Sequence, residues 1–263
     1  MIEGNPYRAS RVPTVHETLT EFRSAGLAFL SRGRQGDAVD RQEWLSKRRA
    51  VVEENYTVEA PTYDSYDPAT PMHRRFVARL IETCRPGGQL LDAACGTGPY
   101  VRMVLDAGRH VVGVDQSAGM LGLARSKFPG VRFEQIGLQE LAFDRAFDAA
   151  MCVDAMEHVP PEDWPRVLEN LARAVQPGAH VYLTLEQVEP RELDEAFAGA
   201  TAAGQPVVFG EVIEGDTGGY HHYADRDQVS RWLTEAGLEL VDEEEEWLDG
   251  YGYRHLFLRT SIS

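Results

Sequence analysis

The residues best suited to chemistry in this chain surround one short stretch, LLDAACGTGPYVRMVL, Leu90 to Leu105. Gly96 and Gly98 interrupt an otherwise apolar run that also carries one acid, Asp92. Glycines at this spacing let the backbone turn sharply and keep Cβ atoms out of the path of a ligand. Pro99 suits the first turn of the helix that follows. The free N–H groups and positive dipole end of that helix would favour an anionic group, a phosphate or a carboxylate. The full G-x-G-x-x-G dinucleotide fingerprint is not met, because Val101 takes the third place. A second element strengthens the signal. HVVGVDQS reads as a strand ending in Asp115, where a carboxylate can accept hydrogen bonds from both hydroxyls of a ribose. Ser117 is available to cap the next helix.

These residues need a scaffold, and the hydrophobic pattern supplies one. Short apolar strands are expected at 88–94, 110–115, 131–135, 147–153 and 179–185, with helices at 99–107, 117–127 and 163–175 between them. That alternation implies an α/β fold: a doubly wound, Rossmann-like sheet, mostly parallel and covered on both faces. The chain closes with a helix at 225–236 and strands near 238–245 and 252–260, expected to pair antiparallel at the sheet edge. Residues 1–58 read as an N-terminal helical cap. One of its helices carries Val15, Leu19, Phe22, Leu27 and Leu30, and a second starts at the N-cap Asp40. The main domain then spans 59–263. Its alternation breaks at about 187–224, a connection long enough to serve as a lid or binding loop.

Composition excludes several classes. The 263 residues carry a formal net charge of -16, which disfavours nucleic acid as a partner. The local clusters Lys47-Arg48-Arg49 and His73-Arg74-Arg75 read as solvated helix faces, and the acid run Asp242–Glu246 as the polar face of a strand or a loop. No run is long and apolar enough for a membrane span, and the first residues lack the apolar core of a secretory signal. Three cysteines form neither a disulfide framework nor a metal-ligand spacing. A cytoplasmic protein without a metal centre, and possible as a homodimer, is the expectation.

Four motifs, in order, resemble the class I S-adenosylmethionine-dependent methyltransferases: LLDAACGTG, VVGVDQSAGMLGLAR, FDAAMCVDAMEHVP and LARAVQPGAHVYLTLE. The resemblance covers about residues 60–186. It implies S-adenosyl-L-methionine as cofactor. Ala94, Gly96 and Gly98 would lie against its methionine part, with Asp92 supporting the loop or reaching the amino group. Asp115 would hold the ribose diol, and Gln116 and Met120 would flank the adenine. Cys152, Val153 and Asp154 would face the methionyl chain and the substrate. Tyr63 and Tyr66 stand where an aromatic closes over the cofactor in similar enzymes. The chain departs from the family after strand three. Gly137, flanked by Ile136 and Leu138, replaces the acid often found near the adenine amino group.

Methyl transfer from a sulfonium needs alignment and water exclusion more than a protein nucleophile, so Cys95 and Cys152 are assigned to packing. A hydroxyl acceptor would gain from a general base, and an amine from an orienting carboxylate. Glu157 and His158 after strand four, Glu186 at the end of strand five, and His222 in the insert are the candidates. The expected reaction is methylation of an N or O nucleophile on a small molecule, within specialised metabolism. The alternatives are a nicotinamide-dependent oxidoreductase and a methyltransferase acting on a protein. Asp154, Glu186 and Gln187 stand where catechol-type relatives hold a divalent cation. The Glu-Gln pair is one methylene longer on each side, which suits magnesium poorly.

Overall fold

Runs of β-branched and small apolar residues form strands here because both faces of the sheet are covered. The computed structural model describes residues 40–65, 69–214, 217–248 and 250–262. β1 (Gln89–Ala93), β2 (His110–Asp115), β3 (Arg132–Gln135), β4 (Phe147–Cys152) and β5 (Val175–Gln187) pair in parallel, with β1 between β2 and β4. β8 (Leu238–Trp247) and β9 (Gly252–Thr260) complete a seven-stranded sheet of order β3-β2-β1-β4-β5-β9-β8. β9 runs antiparallel to both its neighbours, so the last strand inserts beside β5 and leaves β8 at the edge. The doubly wound fold expected from the alternation is present.

Two apolar cores lie on the two faces. One packs α2 (Pro71–Thr83), α3 (Val101–Asp106) and α4 (Ala118–Lys127) through Phe76, Leu80, Val104 and Leu121. The other packs α5 (Trp164–Ala174) and α7 (Arg226–Glu235) through Trp164, Leu168, Leu171 and Leu233. Trp164 is fully buried and its indole N–H donates to the Val159 carbonyl at 3.0 Å.

The acid run of β8 is the polar side of an edge strand met by arginines. Arg79 reaches Asp242 and Arg75 reaches Glu244, both at 2.5 Å, while Arg254 reaches Glu243 at 2.7 Å. These charges also blunt an edge that could otherwise recruit another chain.

The helix at Asp40 is α1 (Arg41–Tyr63), and it is longer than the spacing predicts. The Asp40 carboxylate accepts the Gln42 and Glu43 N–H groups, as its N-cap role requires. The expected helix over Val15–Leu30 lies outside the described residues. The basic clusters are solvated faces only in part: Lys47 and Arg75 are exposed, the others less so. Arg49 forms a two-pronged pair with Glu140, Arg48 donates to the Gly218 carbonyl at 3.0 Å, and His73 is fully buried.

The insert after β5 contains α6 (Pro190–Ala202) and a small hairpin of β6 (Glu211–Ile213) and β7 (Tyr220–His222). The β7 half lies in glycine-rich sequence that gave no strand signal. Arg41 clamps this insert to α1. Its guanidinium donates to the buried Glu211 carboxylate at 2.8 and 3.0 Å, to Glu162, and to the Pro206 carbonyl. Tyr220 Oη and the Val208 N–H complete the shell around Glu211. Among the described residues, no helix is long and apolar enough to cross a membrane.

Removing one partner of a buried ion pair leaves an uncompensated charge. Arg41→Ala should therefore destabilise the protein by about 3 kcal/mol, the low end for such pairs because two hydrogen bonds to Glu211 survive. Equilibrium urea unfolding measures the loss, and Glu211→Gln in the Arg41→Ala background should recover part of it.

Candidate active site

The cleft opens where ligands of an open α/β sheet bind, outside the carboxyl ends of β1, β2 and β4. Its floor is the loop after β1. Gly96 has φ +51°, and a Cβ built there would meet nothing within 4 Å, so the glycine is required by its backbone and faces open space. Gly98, at φ +79°, has a different duty. A Cβ there would crowd Val101 and Phe128, and the residue lies behind the loop, outside the cleft lining.

Asp115 ends β2 and holds this loop. Its Oδ2 accepts the Gly96 N–H and its Oδ1 the Ser117 N–H, each at 2.8 Å. Burial pushes the carboxyl up, against the lowering effect of these backbone donors. The side chain lines the cleft with acceptor capacity remaining for a diol. Ser117 caps α4 independently, accepting the Met120 N–H at 3.2 Å.

Asp92 lies beneath the loop, 2 % exposed, with its Oδ2 unpartnered among the described residues. Burial first, then the Asp115 charge, pushes its carboxyl up to about 8. An orphaned buried acid at a cleft floor fits a cationic amino group above it.

Ala94, Gln116, Met120, Leu138 and Val153 all line the cleft, as does Asp154. Cys152 does not; it is fully buried in the core, as its assignment to packing requires. Cys95 reaches the lining, but burial holds its thiol well above the ordinary range. Tyr66 lies outside the described residues, whereas Tyr63, at the end of α1, does line the cleft.

The glycine at position 137 now has a reason. A Cβ there would sit 2.3 Å from an Arg49 guanidinium nitrogen and 2.6 Å from Glu140 Oε2. The missing acid makes room for a cap-helix arginine, which spans the rim from Gln116 to Glu140. The rest of that end is apolar, through Met120, Ile136 and Leu138. α1 is held over the cleft at three further points. Thr97 Oγ1 donates to Asp64 at 2.6 Å, Lys127 pairs with Asp64 at 2.9 Å, and the Thr57 and Ser117 hydroxyls lie 2.9 Å apart.

His158 is brought to the cleft. Its Nδ1 lies 2.9 Å from the Tyr220 carbonyl, a contact that requires Nδ1–H to donate. Nε2 is then left with its lone pair, which accepts from the Tyr56 hydroxyl at 2.7 Å. Burial lowers its pKa, so the ring is neutral at neutral pH. The same ring borders a second, smaller cavity with Asn55, Glu59, Glu214 and His221.

His222 is not brought to either cavity. It is 2 % exposed, with ring centroids 6.1 Å from Trp164 and 6.3 Å from Trp232, and burial pushes its pKa down to about 4. Side chains alternate along a strand, so in β7 it is His221 that turns inward, its ring 4.8 Å from His158.

Glu157 and Glu186 stand behind the cleft and outside its lining. Burial, then Glu186 and Asp154, raises Glu157 well above the carboxylate range; burial, then Asp154 and Glu214, pushes Glu186 up to about 8. Asp154, the third member of the catechol-type set, is occupied. Its Oδ1 takes hydrogen bonds from His73 Nε2 at 3.1 Å and Thr184 Oγ1 at 3.0 Å.

A glycine-floored cleft with a buried aspartate at the end of the second strand, on this strand order, is the arrangement of a nucleotide-type cofactor site. Residues 90–178 match the family model described as a methyltransferase domain. A ubiquinone biosynthesis O-methyltransferase of Dechloromonas aromatica is 30% identical over 182 residues, 67% of this chain and 73% of its own length. Two solved structures share the fold. A 1,6-didemethyltoxoflavin-N1-methyltransferase of Burkholderia thailandensis, with 1,6-didemethyltoxoflavin and S-adenosylhomocysteine bound, has a TM-score of 0.63 at 16% identity, covering 88% of this chain and 93% of that one. A magnesium protoporphyrin IX methyltransferase of Synechocystis PCC 6803, also with S-adenosylhomocysteine, has a TM-score of 0.61 at 18% identity, covering 81% and 100%. The chain belongs to the class I S-adenosylmethionine-dependent methyltransferases. S-adenosylmethionine is its cofactor, and the nicotinamide alternative falls away.

Asp92 carries a pH signature. With its carboxyl near 8 in the free protein, it is mostly protonated at neutral pH, and a cation bound above it favours the ionised form. Binding of S-adenosylhomocysteine should therefore release a proton, and affinity should rise with pH and level off above about 8. Calorimetry in buffers of different ionisation heat detects the proton, and Asp92→Asn should abolish both effects. Asp115→Ala should weaken binding about 10–100-fold, the value of one or two hydrogen bonds to a charged group.

Proposed function

We propose that the enzyme methylates a hydroxyl oxygen of a small molecule, with His158 as general base. One observation carries this reading. His158 stands at the junction of the two cavities, its tautomer set by a backbone carbonyl so that the Nε2 lone pair meets the hydroxyl of Tyr56, which lines both. The small-molecule class is supported by the second cavity, which is bounded by α1, the insert hairpin and the turn Met156–His158. The O-methyltransferase name of the curated relative favours oxygen over nitrogen.

Bound cofactor supplies a methyl group already activated by the positive sulfur. The chain supplies the rest. Ala94, Gly96 and Val153 shape the cleft wall on that side, and α1 covers it against water. The acceptor hydroxyl replaces Tyr56 as donor to His158 Nε2, which takes the proton as the oxygen is alkylated. The Tyr220 carbonyl, bonded to Nδ1–H, steadies the imidazolium that forms. Glu157 and Glu186 lie behind the cleft, outside its lining, and are not the base; burial raises both carboxyls.

The test is release of S-adenosylhomocysteine over a panel of small phenols, enols and amines. His158→Ala should lower kcat by roughly 10²–10⁴-fold, the usual worth of general acid–base catalysis, with cofactor affinity unchanged. Tyr56→Phe should stay within about tenfold of the parent, because the phenol only holds the place of the acceptor. The rate should fall on the acid side only below the ordinary imidazole range, since the ring must be neutral and burial favours that form. Turnover of amines alone, or a His158→Ala enzyme as fast as the parent, would overturn the proposal.

A further inference from the structure

Beneath the active site lies a group of side chains that methyl transfer does not use. His73 on α2, Glu246 on β8 and His255 on β9 bring three potential ligand atoms within 4.8 Å of one another. Glu246 Oε2 is 3.7 Å from His255 Nε2, and the two imidazole rings are 4.8 Å apart. Both histidines are fully buried. We propose that His73 Nδ1, His255 Nε2 and the Glu246 carboxylate form a binding site for one divalent transition-metal ion of the zinc type, with a water in the fourth position.

Several independent observations point to a ligand at this place. His255 Nε2 is buried, faces Glu246 and has no hydrogen-bond partner among the described residues. Such an orphan costs about 1–3 kcal/mol unless something satisfies it.

The far nitrogens of both rings are engaged as those of metal-bound histidines are. His73 Nε2 meets the Asp154 carboxylate at 3.1 Å, and the Thr70 N–H points at its Nδ1. Nε2 therefore carries the proton and Nδ1 the lone pair, which accepts from the Thr70 N–H at 3.3 Å and would exchange that bond for the ion. His255 Nδ1 meets Tyr182 Oη at 2.8 Å. The Glu246 carboxylate is oriented by the Thr70 hydroxyl, which donates to it at 2.6 Å.

Two neutral imidazoles and one carboxylate are a zinc-type donor set. Charge closes as well: Glu246 directly, and Asp154 through His73, balance the two positive charges. Bonds near 2.0 Å require ligand atoms about 3.3 Å apart, so a set spread over 4.8 Å must contract by up to about 1.5 Å on metal entry. The ion would brace Asp154, a cleft residue held at φ +51°, through a single imidazole.

The experiment uses the full chain stripped with chelator and supplied with Zn²⁺ against a competing chelator, and with Co²⁺ as a spectroscopic probe. One equivalent of Zn²⁺ should bind, and Co²⁺ should give the strong visible absorption of a tetrahedral site. His255→Phe keeps a ring between Phe76 and Tyr182, which it stacks against at 5.3 and 6.1 Å. Glu246→Gln keeps an acceptor for Thr70. Each should weaken Zn²⁺ by more than the 10–100-fold that losing an outer partner costs, while S-adenosylhomocysteine still binds. Uptake well below one equivalent by the parent, or both variants binding Zn²⁺ as the parent does, would overturn the proposal. If neither variant folds, parental stoichiometry and the Co²⁺ spectrum decide it.

Discussion

The carboxylate of Asp115 is the constraint on which the rest of the cleft depends. It joins the end of β2 to the loop after β1 through the Gly96 N–H, and to the start of α4 through the Ser117 N–H. A loop with glycines at positive φ has many conformations open to it, and these two bonds select one. The selection leaves Gly96 facing empty space and Asp92 beneath it without a partner. The same group that would grip a ribose thus also builds the floor on which an amino-acid tail would rest. A fold that had lost this carboxylate would retain its sheet, because the strand pairing does not involve the side chain, but the floor would no longer be defined.

Above that floor, specificity is built from polar contacts in place of a continuous apolar seam. α1 buries only Leu45, Val52 and Ala60 among its hydrophobic residues. It is held instead by Arg41 on Glu211, Arg49 on Glu140, Asp64 on Thr97 and Thr57 on Ser117. Most of these partners belong to the cofactor domain, and Glu211 to the insert. One helix therefore ties together the two parts of the chain that enclose the cavities, and it delivers Tyr56 to His158 while doing so.

How much of this could be read from residues alone follows from the physics of each element. The five parallel strands were legible because burial on both faces demands unbroken apolar runs such as LLDAA and HVVGV. Asp115 was legible because a carboxylate ending such a strand, after a G-x-G loop, has few other uses. Tyr56 and Arg49 were not singled out. Yet Leu45, Arg49, Val52, Tyr56, Ala60 and Tyr63 follow helical spacing, a face whose polar members conceal it from a hydrophobic pattern. The choice of His222 over His221 failed for a different reason. Alternation in a three-residue strand cannot be phased without its neighbours, and the inward residue is the other one. Glycine at 137 stood out only as a missing acid; its place is clearance for Arg49, whose pair with Glu140 spans 91 residues of sequence. His73, His255 and Glu246 share no local motif, and only the antiparallel insertion of β9 beside β8 brings two of them together.

The attachment of α1 also bears on the timing of the catalytic cycle. A helix fastened to α4 through Thr57 and to the β1 loop through Asp64 does not move like a short flap; any movement of it that widens the cleft must first break those bonds. Each round of alkylation ends with a spent thioether beneath that helix. If such a movement accompanies exchange of the spent molecule for a fresh one, breaking those bonds adds a step separate from the bond-making event.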